Sequence, residues 1–90
     1  MAGRPLPVDP ARLRRQFPAL TDDDIAAFEE VTSRILNEDR PEARARVTRE
    51  VLAQGRRARE RAAAGEAVSA EDSLAARYVV AVEKMQGPTR

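Results

Sequence analysis

The chain contains no cysteine and no histidine, and these two absences remove much of the chemistry open to a small protein. Without cysteine there is no disulfide, thiolate nucleophile, iron–sulfur cluster or Cys-ligated zinc. Without histidine the usual neutral-pH base and the usual nitrogen ligand for metals are missing. Aromatic residues are scarce as well: Phe17, Phe28 and Tyr78 are the full set in 90 residues. A chain this short buries only about 60–65% of its unfolded surface, so a thin core, marginal stability or reliance on a partner is expected. Long apolar runs are also absent. The longest, residues 78–82, is far short of the ~20 residues a bilayer span needs. The first eight residues hold no apolar stretch of the signal-peptide kind, and the expectation is a soluble, cytoplasmic protein. Lysine is nearly missing. Lys84 stands alone beside fifteen arginines and seventeen alanines, a bias explained more simply by a GC-rich genome than by selection for guanidinium chemistry.

What remains is helical punctuation. Residues 1–8 hold two prolines and a glycine before any periodic pattern begins and read as a mobile tail. Asp9 then offers a cap, Pro10 suits the first helical position, and Val8 with Leu13 has hydrophobic-staple spacing, which predicts a short helix over residues 10–17 ended by Pro18. Thr21 with Asp24 resembles a capping box with Asp in place of Glu. Leu20 and Ile25 form its staple, and Asp22, Asp23 and Asp24 face the positive helix end. The second helix, to about residue 38, gathers Ile25, Phe28, Val31, Ile35 and Leu36 within roughly 140° of the wheel.

A third helix opens at Pro41 with an acidic cap at Asp39 and meets only Gly55 before Gly65. Its apolar stripe is Val47, Val51 and Leu52, then Ala58 and Ala62. The first half is therefore expected to pack on the core. The second half, with little more than methyl groups, lies close against a neighbour or projects into solvent, and Gly55 is a candidate break. The fourth helix starts with Ser69 and Asp72 and runs to about residue 86, before Gly87 and Pro88. Ala81, Leu74, Met85, Tyr78, Val82, Ala75 and Val79 cover roughly 160° of it, an arc suited to packing against two other helices. Val80 falls on the polar side, beside Arg77 and Lys84. No segment alternates with the period of a strand. The fold expected is an all-α small helical bundle, one short helix followed by three longer ones with antiparallel neighbours, forming a single domain over residues 9–87 with a tail at 88–90.

Net charge is only +1, but its signs are segregated. Residues 18–39 carry seven acids against one arginine, and residues 40–65 carry eight arginines against three glutamates. The simplest account lays the acidic second helix beside the basic third. The alternative account directs the basic helix at a partner: Arg46, Arg49, Arg56, Arg57 and Arg61, within residues 44–61, share roughly 140° of the wheel opposite Val47 and Val51. Glu50 and Glu60 sit within that arc, and no aromatic side chain interleaves it for base stacking.

No catalytic constellation emerges. Capping accounts for the three consecutive aspartates, which lack the alternate spacing, glycine and terminal glutamate of a calcium loop. Tyr78 lies in the apolar arc and reads as a core or core-edge tyrosine. Ser69 is a cap, Ser33 and Ser73 have no base to activate them, and four scattered glycines form no phosphate loop. The sequence thus points to no catalytic residue, no cofactor and no metal ligand. The function expected is a non-enzymatic helical accessory protein that binds another protein, or a second copy of itself, through the wide face of the fourth helix with Val80, Arg77 and Lys84 at its edge, or through the Ala/Arg half of the third. The alternative is a small nucleic-acid binder using Arg46, Arg49, Arg56, Arg57 and Arg61, with the N-terminal arginines as an auxiliary arm. No membrane partner is expected.

Overall fold

A computed structural model describes residues 9–86; the expected tails, the staple through Val8 and the stop at Gly87 lie outside them. The described residues fold as an all-α bundle of four helices: α1 (Pro10–Gln16), α2 (Asp22–Leu36), α3 (Pro41–Ala63) and α4 (Ala70–Gln86). Their ends follow local chemistry. Asp9 Oδ1 accepts the Ala11 and Arg12 amides at 3.1 and 3.4 Å and so caps α1. At α2 the capping box closes in both directions: the Asp24 amide donates to Thr21 Oγ1 at 3.1 Å, and the Thr21 amide to Asp24 Oδ2 at 3.0 Å. Ser69 Oγ accepts the Asp72 amide at 3.1 Å at the start of α4. Asp39 does not cap α3. The N-cap is Arg40, which makes no side-chain cap bond, and Pro41 at the first position does without an amide that would need one. The end of α3 is a Schellman closure, in which Gly65 donates to Ala62 O at 3.0 Å and Glu66 to Arg61 O at 2.9 Å. Its left-handed residue is Gly65, at φ +84°.

Helix α4 packs against both α2 and α3, which touch each other at only a few residues. This corrects the expectation that acidic α2 lies beside basic α3: the broad apolar arc of α4 places α4 between them. At one end, Leu20, Ile25 and Ala81 form a cluster that Leu13, Phe17, Phe28 and Met85 partly cover, and this fastens α1 to the bundle. Tyr78 is buried and stacks on Phe28 with ring centroids 5.8 Å apart and planes 15° from parallel. Burial alone raises the Tyr78 pKa above its ordinary value of 10.0.

Gly55 does not break α3, which runs unbroken through it. The reason is contact with α4. Gly55 and Ala58 are the buried residues of α3, whereas Val47, Val51 and Leu52 stay half-buried. The second half of α3 thus takes the first of its two expected courses, lying close against α4 as far as Ala58, while the first half packs less deeply than expected, because small residues let α4 approach where valine and leucine hold it off. Among the described residues, four of the nine buried apolar side chains are alanines, Ala27, Ala58, Ala75 and Ala81. The core is thin in mass and depends on close helix approach for its contacts.

Candidate interaction surface

The capping box does more than start α2. It carries Asp24 inward, where the residue is 1% exposed. Its Oδ2 accepts from Lys84 Nζ at 2.6 Å as well as from the Thr21 amide, and its Oδ1 accepts from Arg77 at 3.4 Å. Lys84 also donates to the Ala19 carbonyl at 3.1 Å. Burial pushes the Asp24 carboxyl upward, but the hydrogen bond from Lys84, those from Thr21 and the Lys84 charge together outweigh it and hold the pKa below 3.8. Asp24 is thus an anion at neutral pH that ties the α1–α2 junction to the far half of α4.

Lys84 was expected on the solvated side of α4, available to a partner. The structure turns it inward to Asp24 instead, with about a third of its side chain exposed, because a buried carboxylate requires a cation. The sequence pattern marks Asp24 as a capping residue alone. Helix-dipole reasoning accounts for three aspartates equally and gives no sign that one of them is buried.

Arg14 of α1 pairs with Asp22 of α2 at 2.6 Å, and the other ion pairs between helices converge on α4 from both flanks. Arg34 of α2 reaches Glu71 at 2.7 Å while holding Glu30 of its own helix at 3.0 Å. Arg59 of α3 reaches Glu83 at 2.9 Å, and Arg61 reaches Asp72 at 3.4 Å, where Gln54 also donates at 2.8 Å. Arg34 lowers the Glu71 pKa, and the hydrogen bond from Gln54, aided by Arg61 and Ser69, lowers that of Asp72 against desolvation. Among the described residues no ion pair joins α2 to α3 directly. Exposed pairs of this kind fix orientation more than they add stability.

Two surfaces of the described residues bear on the expected sites. The first is a shallow groove of about 350 Å³ between α3 and α4, lined by Ala58, Arg59, Ala62, Ser73, Ala76, Arg77 and Val80, with Val68 from the connection between the helices. Val80 was expected on the polar side of α4. It is half-buried in this groove, where Ala58 and Ala62 of α3 come to its side of the wheel. The groove joins Val80 with Arg77 and leaves Lys84 out. Its floor is apolar and small, and Arg59 and Arg77 flank it with side chains about half exposed. Ser73 is the hydroxyl of the lining, and a chain with no histidine or cysteine gives it no imidazole or thiolate to act with.

The second surface is the outward face of α3. Arg46, Arg49, Arg56 and Arg57 are exposed there and make no ion pair with any described residue. Arg61, expected with them, is held by Asp72. Among the described residues no cluster of three or more acidic side chains is placed to hold a metal ion, and no helix is long and apolar enough to cross a membrane.

No family model, curated protein or solved structure matches this chain. Its function has to be argued from the chemistry of these two surfaces.

Proposed function

We propose that the chain is a non-enzymatic helical adaptor whose docking site for another protein is the α3–α4 groove. The observation that carries this reading is the groove's composition: an apolar floor from Ala58, Ala62, Ala76, Val68 and Val80, supplied by two helices and their connection, between two half-exposed arginines. Such a site takes a short apolar side chain and sets its orientation through carboxylates on either flank, the arrangement of a partner helix laid across a groove. Arg77 is the freer of the two flanking cations, since its bond to Asp24 is 3.4 Å long, while Lys84 satisfies the same carboxylate at 2.6 Å. Turning Arg77 toward a partner therefore leaves Asp24 paired.

Ala62 gives the sharper test because it is exposed where Val80 is half-buried. Ala62→Glu is expected to leave the helical circular dichroism and the melting temperature nearly unchanged, a surface substitution being worth within about 0.5 kcal/mol. It is expected to abolish capture of the partner from an extract of the protein's own cells. A discrete protein retained by the wild type after nuclease treatment and lost by Ala62→Glu supports the adaptor reading. Retention by both places the dock elsewhere, and loss of all bound material on nuclease treatment removes the reading. Sedimentation of the purified chain covers the case in which the partner is a second copy: a wild-type dimer that becomes a monomer in Ala62→Glu assigns the groove to self-association.

A further inference from the structure

We infer that the outward face of α3 is a binding surface for the phosphate backbone of nucleic acid, formed by Arg46, Arg49, Arg56 and Arg57. The argument begins with the use the fold makes of its cations. Arg14, Arg34, Arg59, Arg61, Arg77 and Lys84 each close an ion pair with a carboxylate of the bundle, and Arg44 donates to the Glu38 carbonyl at 2.7 Å. The four arginines of the outward face close none with a described residue, as is also true of Arg12, Arg15 and Arg40, but these four are set together on one side of one helix. Glu50 lies four positions beyond Arg46 and Glu60 four beyond Arg56. Intrahelical pairs at this spacing are weaker when the cation comes first, as it does in both cases, and they do not form here, whereas the acid-first pair Glu30–Arg34 does. These four charges are left in solvent, on the side of α3 opposite Gly55 and Ala58, where α4 packs.

The geometry suits a charged lattice better than a protein surface. From Arg46 to Arg57 the helix rises about 16 Å at 1.5 Å per residue, which sets the guanidinium groups out along a line. Between them stand Glu50, Ala53 and Glu60, and no tryptophan, tyrosine, leucine or other large apolar side chain projects from this face. Protein interfaces draw their affinity from such anchors. This face has none, so recognition has to come from charge. Guanidinium forks match phosphate oxygens, often two at a time. With no aromatic side chain to stack on bases, the contacts are to the backbone and carry no sequence preference. Glu50 and Glu60 lower the affinity of the face without changing its sign, and this weakening can itself be measured.

The test is fluorescence anisotropy of a labelled, mixed-sequence DNA duplex titrated with the full chain. Three to four phosphate contacts predict an affinity that falls roughly 40- to 150-fold between about 50 and 200 mM salt. Arg56→Gln with Arg57→Gln flattens the log–log salt slope by about 1.8, and Glu50→Gln with Glu60→Gln tightens binding. None of these side chains contributes to the ion pairs or buried residues of the described fold, so each variant retains wild-type circular dichroism. The inference falls on any of three results: no binding at the lowest salt by either the wild type or the Glu→Gln variant, binding by the fourfold Arg→Gln variant equal to wild type, or displacement of the duplex by poly-glutamate at equal charge. The last result would assign the face to an acidic protein.

Discussion

Replacing Gly55 with alanine is expected to destabilise the protein, although the same substitution in a free helix is stabilising. In an exposed helix interior alanine is favoured over glycine by about 1 kcal/mol. At Gly55 the added Cβ would fall 2.5 Å from Val79 Cγ2 and 2.7 Å from the Ala75 carbonyl carbon, and would overlap the Ala75 carbonyl oxygen. Val79 could rotate away. Ala75 cannot, because the atoms met are backbone of the facing helix, so α3 and α4 must part by roughly 1 Å to reach ordinary contact distance. That separation opens gaps at Ala58 and Ala75, 2% and 3% exposed, which have no longer side chains to fill them. Overpacking of this kind costs about 1–3 kcal/mol, and the rigidity of the obstacle argues for the upper part of that range. The net effect is a loss of about 1–2 kcal/mol once the helix-propensity gain is subtracted. Gly55→Leu exceeds what a small domain, stable by about 5 kcal/mol, can lose, and is expected to unfold it. Urea denaturation followed at the helical dichroism band measures both. A higher midpoint for Gly55→Ala would mean that the two helices do not approach closely at this position.

Gly55 also shows what the sequence could and could not reveal. Helix positions were legible because the signals are local: Asp9 and Pro10, Thr21 with Asp24, Ser69 with Asp72, and Gly65 each act within a few residues of the bond they make. All four helices begin and end within about two residues of the expected positions. A broad arc on the fourth helix correctly implied two neighbours. What α3 and α4 do at their crossing depends on residues twenty apart in the chain, and there local rules misled. The rule that glycine weakens a helix describes an isolated helix, whereas Gly55 is occupied with letting a second backbone in.

The interaction residues follow the same division. Val80 and Arg77 lie together on one groove, as their positions on one helix face require. Lys84, seven residues from Arg77 and on the same stripe, turns instead to Asp24 on another helix, and no spacing rule within α4 distinguishes the two cations. Arg61 leaves its stripe in the same way because Asp72 lies within its reach. Charge segregation was visible and its partners were not. It suggested α2 against α3, whereas the acids that meet the α3 arginines belong to α4.

The Asp24–Lys84 contact makes the second large prediction, and its pH dependence separates an energetic pair from mere proximity. Asp24 has its folded pKa below the unfolded value of 3.8, so its contribution to stability is fully present above that value and is lost as pH falls through the folded pKa. Asp24→Asn at neutral pH removes the charge and replaces one acceptor oxygen with an NH2 donor, so the remaining oxygen cannot serve Thr21, Lys84 and Arg77 as the carboxylate does. Lys84 and Arg77 are partly exposed and can turn to water, so the expected loss is about 2–3 kcal/mol, below the 3–5 of a fully enclosed pair. Lys84→Met leaves the opposite fault, a carboxylate at 1% exposure that keeps the Thr21 amide and the long bond to Arg77 but loses its closest cation. Burial, already the largest influence on Asp24, then raises its pKa, and the variant relieves the unpaired charge by taking up a proton. The stability gap between wild type and Lys84→Met should therefore be widest near neutrality and narrow as pH falls through the carboxylate range. The double variant should be less damaged than the sum of the two single ones, with a coupling of about 1–3 kcal/mol at pH 7 that fades as pH falls through the lowered folded pKa of Asp24. Glu71 and Asp72 also have lowered pKa values, so the acid limb of the wild type alone cannot isolate Asp24. The cycle can, because those two groups are present in all four proteins and cancel. Additive losses at pH 7 would mean that Lys84 shields Asp24 without pairing with it, and the buried anion would then owe its charge to the capping box.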